Sequence, residues 1–591
     1  MLNSWKKLIA DDICTVISRV QNNDFPDLEK KISFDDIKNS IIKPRNNNNG
    51  DLSSNIAFKL SKLLSSKPID IAELIKSNLD KNLYLNLEIA QPGFINFWLL
   101  RETKFKVLSN VISNENFGFE NLKTKDKIIL EFVSANPTGP LHVGHARQAV
   151  LGDSISRILK AAGADITKEF YYNDGGNQIK NLTLSVVARA NKIDPSSSNF
   201  PTDGYKGDYI QDIADEYGEV NIYDDTENVN FEKIQKFSID YLRNEQKTDL
   251  LALDVAFDSY ALESSFYHEG KIDALLQKLN TNKKTYIQDS ALWFKAKEFG
   301  DDKDRVMKKT DGTFTYFVPD VAYHYDKWLR GFDRAINIQG FDHHGTIKRV
   351  SAGLQALDVG IKEGFPETIL HKMVKVVKDG KEVKISKRSG SFVTLRDLIC
   401  WSSNFSKTKN FEKYVTQNEF KRELIKGRDI VRFFLLSKKA ETEFTFDVNL
   451  GQKQSEENPV FYVQYAHARA CNVIEQSGTN ENKLIREFKA LSIDQITEIS
   501  ELLNTEKESL IMIRLSDFPS ICESAVSDLA PHVIVFYLLD LAKEFHSYYN
   551  DTKINVDNLL QRNARLFLVI SLIIIFRKCL NYLGISQPRK M

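Results

Sequence analysis

Clustered cysteine is missing from this chain. Its five cysteines, Cys14, Cys400, Cys471, Cys522 and Cys579, are far apart, and no Cys-x-x-Cys pair exists. That argues against a structural zinc and against a redox dithiol, and scattered thiols fit a reducing cytosol. Net charge is missing too: Lys and Arg total 80, and so do Asp and Glu. A nucleic-acid partner must therefore be held by a local basic face and not by bulk charge. The opening Met-Leu-Asn-Ser-Trp-Lys-Lys lacks the apolar core of a signal peptide. The longest apolar run, Leu566 to Phe576, is closed by Arg565 and Arg577. It is too short to span a bilayer and reads as a buried helix. No repeat of fixed period is visible, and the only low-complexity tract is the asparagine run from Asn46 to Asn49.

What is present is ordinary globular composition, 42% hydrophobic and 27% charged, in 591 residues. That length exceeds one core and predicts two to four domains. The stretch that organises them is Glu131-Phe-Val-Ser-Ala-Asn-Pro-Thr-Gly-Pro-Leu-His-Val-Gly-His145. It reads as strand, turn, then helix. Lys127 to Val133 is β-prone; Pro137, Gly139 and Pro140 break it. From Leu141 apolar residues recur at helical spacing, and Gly163 suits the C-cap. His142 and His145 fall in the first turn of that helix, where unpaired N–H groups and the dipole attract phosphate. Gly144 lets a flat ligand approach the backbone. Read singly, each histidine is a capping or surface residue; read together after a strand and a Pro/Gly turn, they are donors to an anion.

Other stretches carry chemistry less openly. Phe170 to Tyr172 and Ala335 to Ile338 read as short strands ending in polar, glycine-containing loops, Asn173 to Gln178 and Gln339 to Gly345. Such loops hold ligands in open parallel sheets. Met373 to Ile385 reads as a hairpin turning at Asp379-Gly380, followed at once by the basic Lys384-Ile-Ser-Lys-Arg388. That cluster is a solvated charge group or a mobile phosphate clamp. Glu263, Tyr316 and Asp320 are nondescript alone, Tyr316 and Asp320 falling at the end of a β-prone run. Residues 185 to 310 read mostly as helices inserted in the parallel sheet. In the first module, Ser53 or Ser54 would cap a helix running to Lys62. The adjacent His343 and His344 point different ways, so no metal site is expected.

The stretch from Ser134 to His145 resembles the first signature of class I aminoacyl-tRNA synthetases, and of arginyl-tRNA synthetases in particular. Lys384 to Arg388 resembles their second signature, Lys-Met-Ser-Lys-Ser, with Ile and Arg as departures. Gly50-Asp-Leu-Ser-Ser-Asn and Ala90 to Asn96 resemble the N-terminal domain of arginyl-tRNA synthetases. Asn458 to Arg469 and the closing Leu583-Gly-Ile-Ser resemble the anticodon-binding domain shared with cysteinyl-tRNA synthetases. The resemblance runs end to end.

It implies an α/β, Rossmann-type parallel-sheet catalytic domain at 116–400, with an insertion at about 185–310. Before it stands an α+β tRNA-contacting domain, 1–115. After it come a helical connector, 401–455, and an all-α anticodon-binding bundle, 456–591. It implies ATP-dependent formation of arginyl-adenylate and transfer of arginine to the 3′ end of its tRNA, with Mg2+ arriving on ATP and no protein-held metal. ATP would meet His142, Gly144, His145, Gly340, Asp342, His344, Lys384, Ser386 and Lys387. Of these His142, His145, Lys384 and Lys387 would be catalytic. Arginine would meet Ser134, Asn136, His145, Glu263, Tyr316 and Asp320. The role of Arg388 stays open. The partners implied are ATP, L-arginine and the arginine tRNA, for a cytoplasmic monomer without a membrane. The alternatives are a related synthetase such as the cysteinyl one, or a non-catalytic RNA-binding relative.

Overall fold

The computed structural model describes residues 2–24, 32–44, 46–120, 122, 124–220, 230–383, 393–403, 405, 411–416 and 422–591. A five-stranded, wholly parallel sheet lies at its centre. Its strands are β1 (Lys127–Glu131), β2 (Asp165–Tyr172), β3 (Ser259–Leu262), β4 (Arg334–Gly340) and β5 (Glu367–His371), in the spatial order β5-β4-β1-β2-β3. Apart from Lys127 at its start, β1 is wholly buried. That is what a central strand covered on both faces requires. From β1 the chain builds outward through β2 and β3, then returns to β1's other side for β4 and β5. The order reverses between β1 and β4, and ligands bind in the crevice beyond the strand ends at such a point. The signature turn leaves β1 there, and the Gly340–His344 loop leaves β4 there.

Helix α1 (Val143–Ala161) leads from that turn back to β2. Gly152 explains how closely it lies on the sheet: a Cβ there would sit 2.3 Å from the Phe132 ring. Helix α2 (Phe317–Leu329) leads into β4. The β-prone reading of the Tyr316–Asp320 run is corrected here. Pro319 sits in the first turn of α2, where its missing N–H costs nothing, and Asp320 follows it on the same turn.

The stretch 185–310 also differs from its helical reading. It holds the helices Tyr209–Val220 and Phe231–Ala252, but β3 inside it joins the main sheet beside β2. A further antiparallel sheet forms from Thr285–Gln288, Ala291–Phe294 and Arg305–Lys308. Glu263 therefore leaves the C-terminal end of a sheet strand; it is not set in a separate insertion.

The N-terminal residues form an antiparallel sheet of Ile41–Ile42, Leu52–Ser54, Phe94–Leu99 and Tyr84–Ala90. Helix Leu2–Asp24 shares its core, with Trp5, Ile9 and Ile13 buried. Ser53 and Ser54 lie in a strand, and the N-cap of helix Ile56–Leu64 is Asn55. The Ser54 hydroxyl still accepts from the Ile56 N–H at 3.2 Å.

From Pro459 onward the described chain is helical. Its last helix, α4 (Leu559–Leu583), extends past both ends of the apolar run read from sequence. By length and composition it could cross a membrane, but 78% of its apolar window is buried inside the protein. Its neighbours include Pro459–Gln476, Arg101–Ser113 and α1. Helix α3 (Arg422–Leu436) ties these parts together. The fully buried Arg432 donates to Asp153 of α1 at 2.6 Å, to the Leu583 carbonyl of α4 at 2.8 Å and to the Leu253 carbonyl at 2.8 Å. Such a pair is held by its full set of partners, because a buried charge left alone typically costs ~3–5 kcal/mol. Helix α1, which starts at the signature, is thereby anchored to the C-terminal helix.

Candidate active site

The turn after β1 is strained. Val133 has φ 71° and Ser134 φ 39°. Left-handed backbone at non-glycine residues, one of them β-branched, costs about 1–3 kcal/mol each and persists only where surroundings impose it. Here the Ser134 hydroxyl donates to Glu131 Oε1 at 2.9 Å and accepts from the Tyr171 N–H of β2 at 3.2 Å. Further along, the buried Gln246 side chain donates to the carbonyls of Asn136 at 3.1 Å and Gly139 at 2.9 Å. Tyr209 O–H donates to the Thr138 carbonyl at 2.9 Å. Asn136 meets Gln178, side chain to side chain, at 2.7 Å.

His142 is the N-cap of α1. Its Nδ1 accepts from the Gly144 N–H at 3.1 Å, and His145 Nδ1 accepts from the His142 N–H at 3.2 Å. The rings stack with centroids 3.8 Å apart. The capping reading and the functional reading are thus both served. With each Nδ1 accepting, the hydrogen of each neutral ring sits on Nε2, so both rings carry their donor on the other edge. Gly144 is required because a Cβ would lie 2.9 Å from the His142 ring.

Beside this turn is a cavity of about 290 Å3, lined by Ser134, Asn136, His145, Gln178, Tyr209 and His343 among others. From the β4 loop it is His343, not His344 or Asp342, that reaches it. His344 instead stacks on the exposed Phe341, and the Asp342 carboxylate folds back over Gly340, where a Cβ would meet it at 2.4 Å. The sequence carries no signal that separates His343 from its neighbour.

A second part of the site is a pocket of carboxyl groups. Glu263, the residue after β3, accepts from Tyr171 O–H at 3.0 Å. Its neighbour Ser264 is held by Asp174, through its N–H at 3.0 Å and its hydroxyl at 2.7 Å. Among the described residues, neither Glu263 nor Asp320 has a basic partner. Burial, then the charges of Glu263 and Glu131, push the Asp320 carboxyl up to about 7; burial and Asp174 raise Glu263. Tyr171 is raised by burial and by Glu263 and Asp320. Carboxylates gathered out of water without a cation destabilise one another, and a bound cation relieves that. Tyr316 is 72% exposed and stands one turn before Asp320. Glu131, by contrast, has its cation: the buried Lys327 donates to Oε2 at 2.6 Å. The sequence reading missed Lys327, Tyr171 and Gln246 altogether.

Lys384, Ser386, Lys387 and Arg388 lie outside the described residues. Their flanks do not. Before them stand Val374–Lys378 and Lys381–Glu382, paired about Asp379 and Gly380, both with positive φ as the turn needs. After them Thr394 bridges His142, and the Leu395 N–H donates to the Leu141 carbonyl at 2.8 Å. The chain thus re-enters at the first turn of the signature helix. Arg147 of α1 secures the other flank, donating to the carbonyls of Lys372, Lys439 and Thr442 at 2.8–3.0 Å. Among the described residues no group of three or more His, Cys, Asp or Glu is arranged to hold a metal.

Three family models match: the arginyl-tRNA synthetase N-terminal domain over residues 4–99, the class I (R) tRNA synthetase catalytic domain over 107–448, and the DALR anticodon-binding domain over 463–591. The arginine–tRNA ligase of Cupriavidus pinatubonensis is 46% identical, over 90% of this chain and 92% of that one. That of Paraburkholderia phymatum is 47% identical, over 90% and 91%. The arginyl-tRNA synthetase of Thermus thermophilus shares the fold, with a TM-score of 0.68 at 20% identity over 93% of this chain and 96% of that one. A catalytic-domain match over more than half the chain, with relatives this similar over nearly its whole length, decides the family. The chain belongs to the arginyl-tRNA synthetases, enzymes of class I.

Proposed function

We propose that the carboxylates Glu263 and Asp320 grip the guanidinium of L-arginine, with Tyr316 beside them and with Ser134, Asn136 and His145 at its α-amino end. The observation that carries this is that, among the described residues, the neighbouring carboxyl groups of Glu263 and Asp320 have no basic partner and are joined through Tyr171 to the strained signature turn. A planar, five-donor cation fits two such carboxylates in a way a point charge does not. ATP, carrying Mg2+ as part of the substrate, lies across the start of α1, against His142, Gly144 and His145. Gly340, Asp342 and His344 are on its adenosine side, and Lys384, Ser386 and Lys387 on its phosphates.

The arginine carboxylate oxygen attacks the α-phosphorus in line. The bond to the bridging oxygen breaks and pyrophosphate leaves, giving arginyl-adenylate. The 2′-hydroxyl of the tRNA's terminal ribose then attacks the activated carbonyl and AMP departs. The protein does little covalent work; it holds the partners in line and stabilises charge as it moves. The positive dipole end of α1 adds its field to that charge, and the His142 and His145 imidazoles keep Nε2–H donors on the edges away from their capping bonds. On this reading the N-terminal domain meets the tRNA's outer corner and the C-terminal helices its anticodon, and the enzyme works as a cytoplasmic monomer.

Asp320 supplies the test. In the folded protein burial, then Glu263 and Glu131, push its carboxyl up to about 7, against 3.8 for the ordinary group. Between those values the folded state holds a proton that the unfolded state has lost. Stability of the unliganded protein therefore falls as pH rises through that window, and is level above it. Arginine requires the ionised form and must displace that proton. The KM for arginine is expected to rise by up to about tenfold per pH unit as pH falls below about 7, with no matching change in the KM for ATP. A pH-independent arginine KM between pH about 5 and about 8 would contradict this role.

A further inference from the structure

Lys327 lies outside every role assigned so far, yet it is fully buried and ionic. Its Nζ donates to Glu131 Oε2 at 2.6 Å and to Asn337 Oδ1 at 3.0 Å, and it stands 4.1 Å from the Tyr323 ring centroid. An ammonium has three donor directions, and two bonds and a ring face use them. Asn337 passes the polarity on, its amide meeting His324 Nε2 at 3.2 Å. Glu131 is 6% exposed and Lys327 shows no exposed surface. An ion pair this deep gives little net stability, because desolvation offsets attraction. What it does fix is direction.

The second oxygen of Glu131 accepts the Ser134 hydroxyl proton at 2.9 Å. The same hydroxyl accepts from the Tyr171 N–H at 3.2 Å. A serine hydroxyl has one proton and two lone pairs. The proton and one lone pair are committed, so the Ser134 oxygen meets the cavity with a single lone pair, as an acceptor. An acceptor at that point suits an ammonium, which only donates, and rejects a carboxylate, which only accepts.

We propose that Lys327 and Glu131 are a buried positioning pair that holds Ser134 as an obligate acceptor and so selects for the free α-ammonium of the amino acid. The proposal rests on the reading that Ser134 faces the amino end of arginine. Neither residue of the pair touches the reacting atoms. With Lys327 gone, Glu131 Oε2 loses the donor that holds it, the carboxyl group can turn, and the Ser134 hydroxyl loses its fixed sense.

The test uses the full enzyme in tRNA charging, with δ-guanidinovalerate, which is arginine without its α-amino group, as competitive inhibitor. The readout is the ratio of the inhibitor's Ki to the KM for arginine. In Lys327→Met this ratio is expected to fall roughly tenfold or more, the loss of one charge-assisted hydrogen bond, while the KM for ATP holds. Ser134→Ala is expected to lower it similarly. If Lys327→Met does not fold, the neutral pair Lys327→Met with Glu131→Gln keeps shape and removes the buried charge; its ratio is expected to fall likewise. A variant that loses affinity for arginine and analogue equally, with the ratio preserved, would overturn the pair's role and leave it merely structural. A lowered ratio in Ser134→Ala beside an unchanged one in Lys327→Met would sink the pair alone. An unchanged ratio in Ser134→Ala would sink the underlying reading of Ser134.

Discussion

Replacing Asp320 with Asn is expected to raise the KM for arginine by roughly 100-fold to 5,000-fold, since losing one partner of a desolvated charge pair typically costs ~3–5 kcal/mol. The KM for ATP should stay near its original value, because Asp320 is on α2 and ATP is assigned to the start of α1. The stability change is the sharper signature. Asp320 is strained when empty, pushed up by burial and by Glu263 and Glu131. An uncharged isostere removes that repulsion, so the melting temperature should hold or rise while activity collapses. The pH dependence of the arginine KM should flatten in the same variant. A fall in melting temperature together with a small KM change would mark Asp320 as a packing residue.

Lys387→Ala is expected to reduce adenylate formation, measured as tRNA-dependent pyrophosphate exchange, by about 100-fold to 1,000-fold, the usual weight of one transition-state donor at ~2.7–4 kcal/mol. Binding of tRNA should survive, because the tRNA contacts are assigned to the two outer domains. The Val374–Lys378 hairpin delivers the chain, and Thr394 and Leu395 return it against Leu141 and His142. The described flanks on both sides thus lie against the signature helix, where a phosphate clamp would be needed. Arg388→Ser, which supplies the final residue of the class I Lys-Met-Ser-Lys-Ser signature, should change little. Unchanged exchange in Lys387→Ala would remove the second signature from the mechanism.

Legibility in the sequence followed the range of the interactions. The signature turn could be read because its chemistry is local: Pro and Gly break a strand, and histidines cap a helix within four residues of one another. The α4 run could be read as buried, but not its full extent, because polar residues at its ends stay helical. Strand β3 escaped because Ser259–Leu262 is short and only half-buried, so its pairing with β2 decides its state and its own propensity does not. Glu263 and Asp320 looked like ordinary surface acids, and only the family resemblance singled them out. Lys327 could not be found at all. On an amphipathic helix a lysine normally reads as solvated, and its partner Glu131 is 196 residues away. Gln246 is the same case, a polar residue of a helix that closes on a distant turn.

Everything above turns on this site joining arginine, and no other amino acid, to tRNA. The direct measurement is charging of bulk tRNA with each labelled amino acid in turn, with MgATP present. Acid-precipitable label is expected with arginine alone, accompanied by AMP and pyrophosphate. Label with cysteine or another amino acid, or no label and no ATP consumed with arginine, would contradict it.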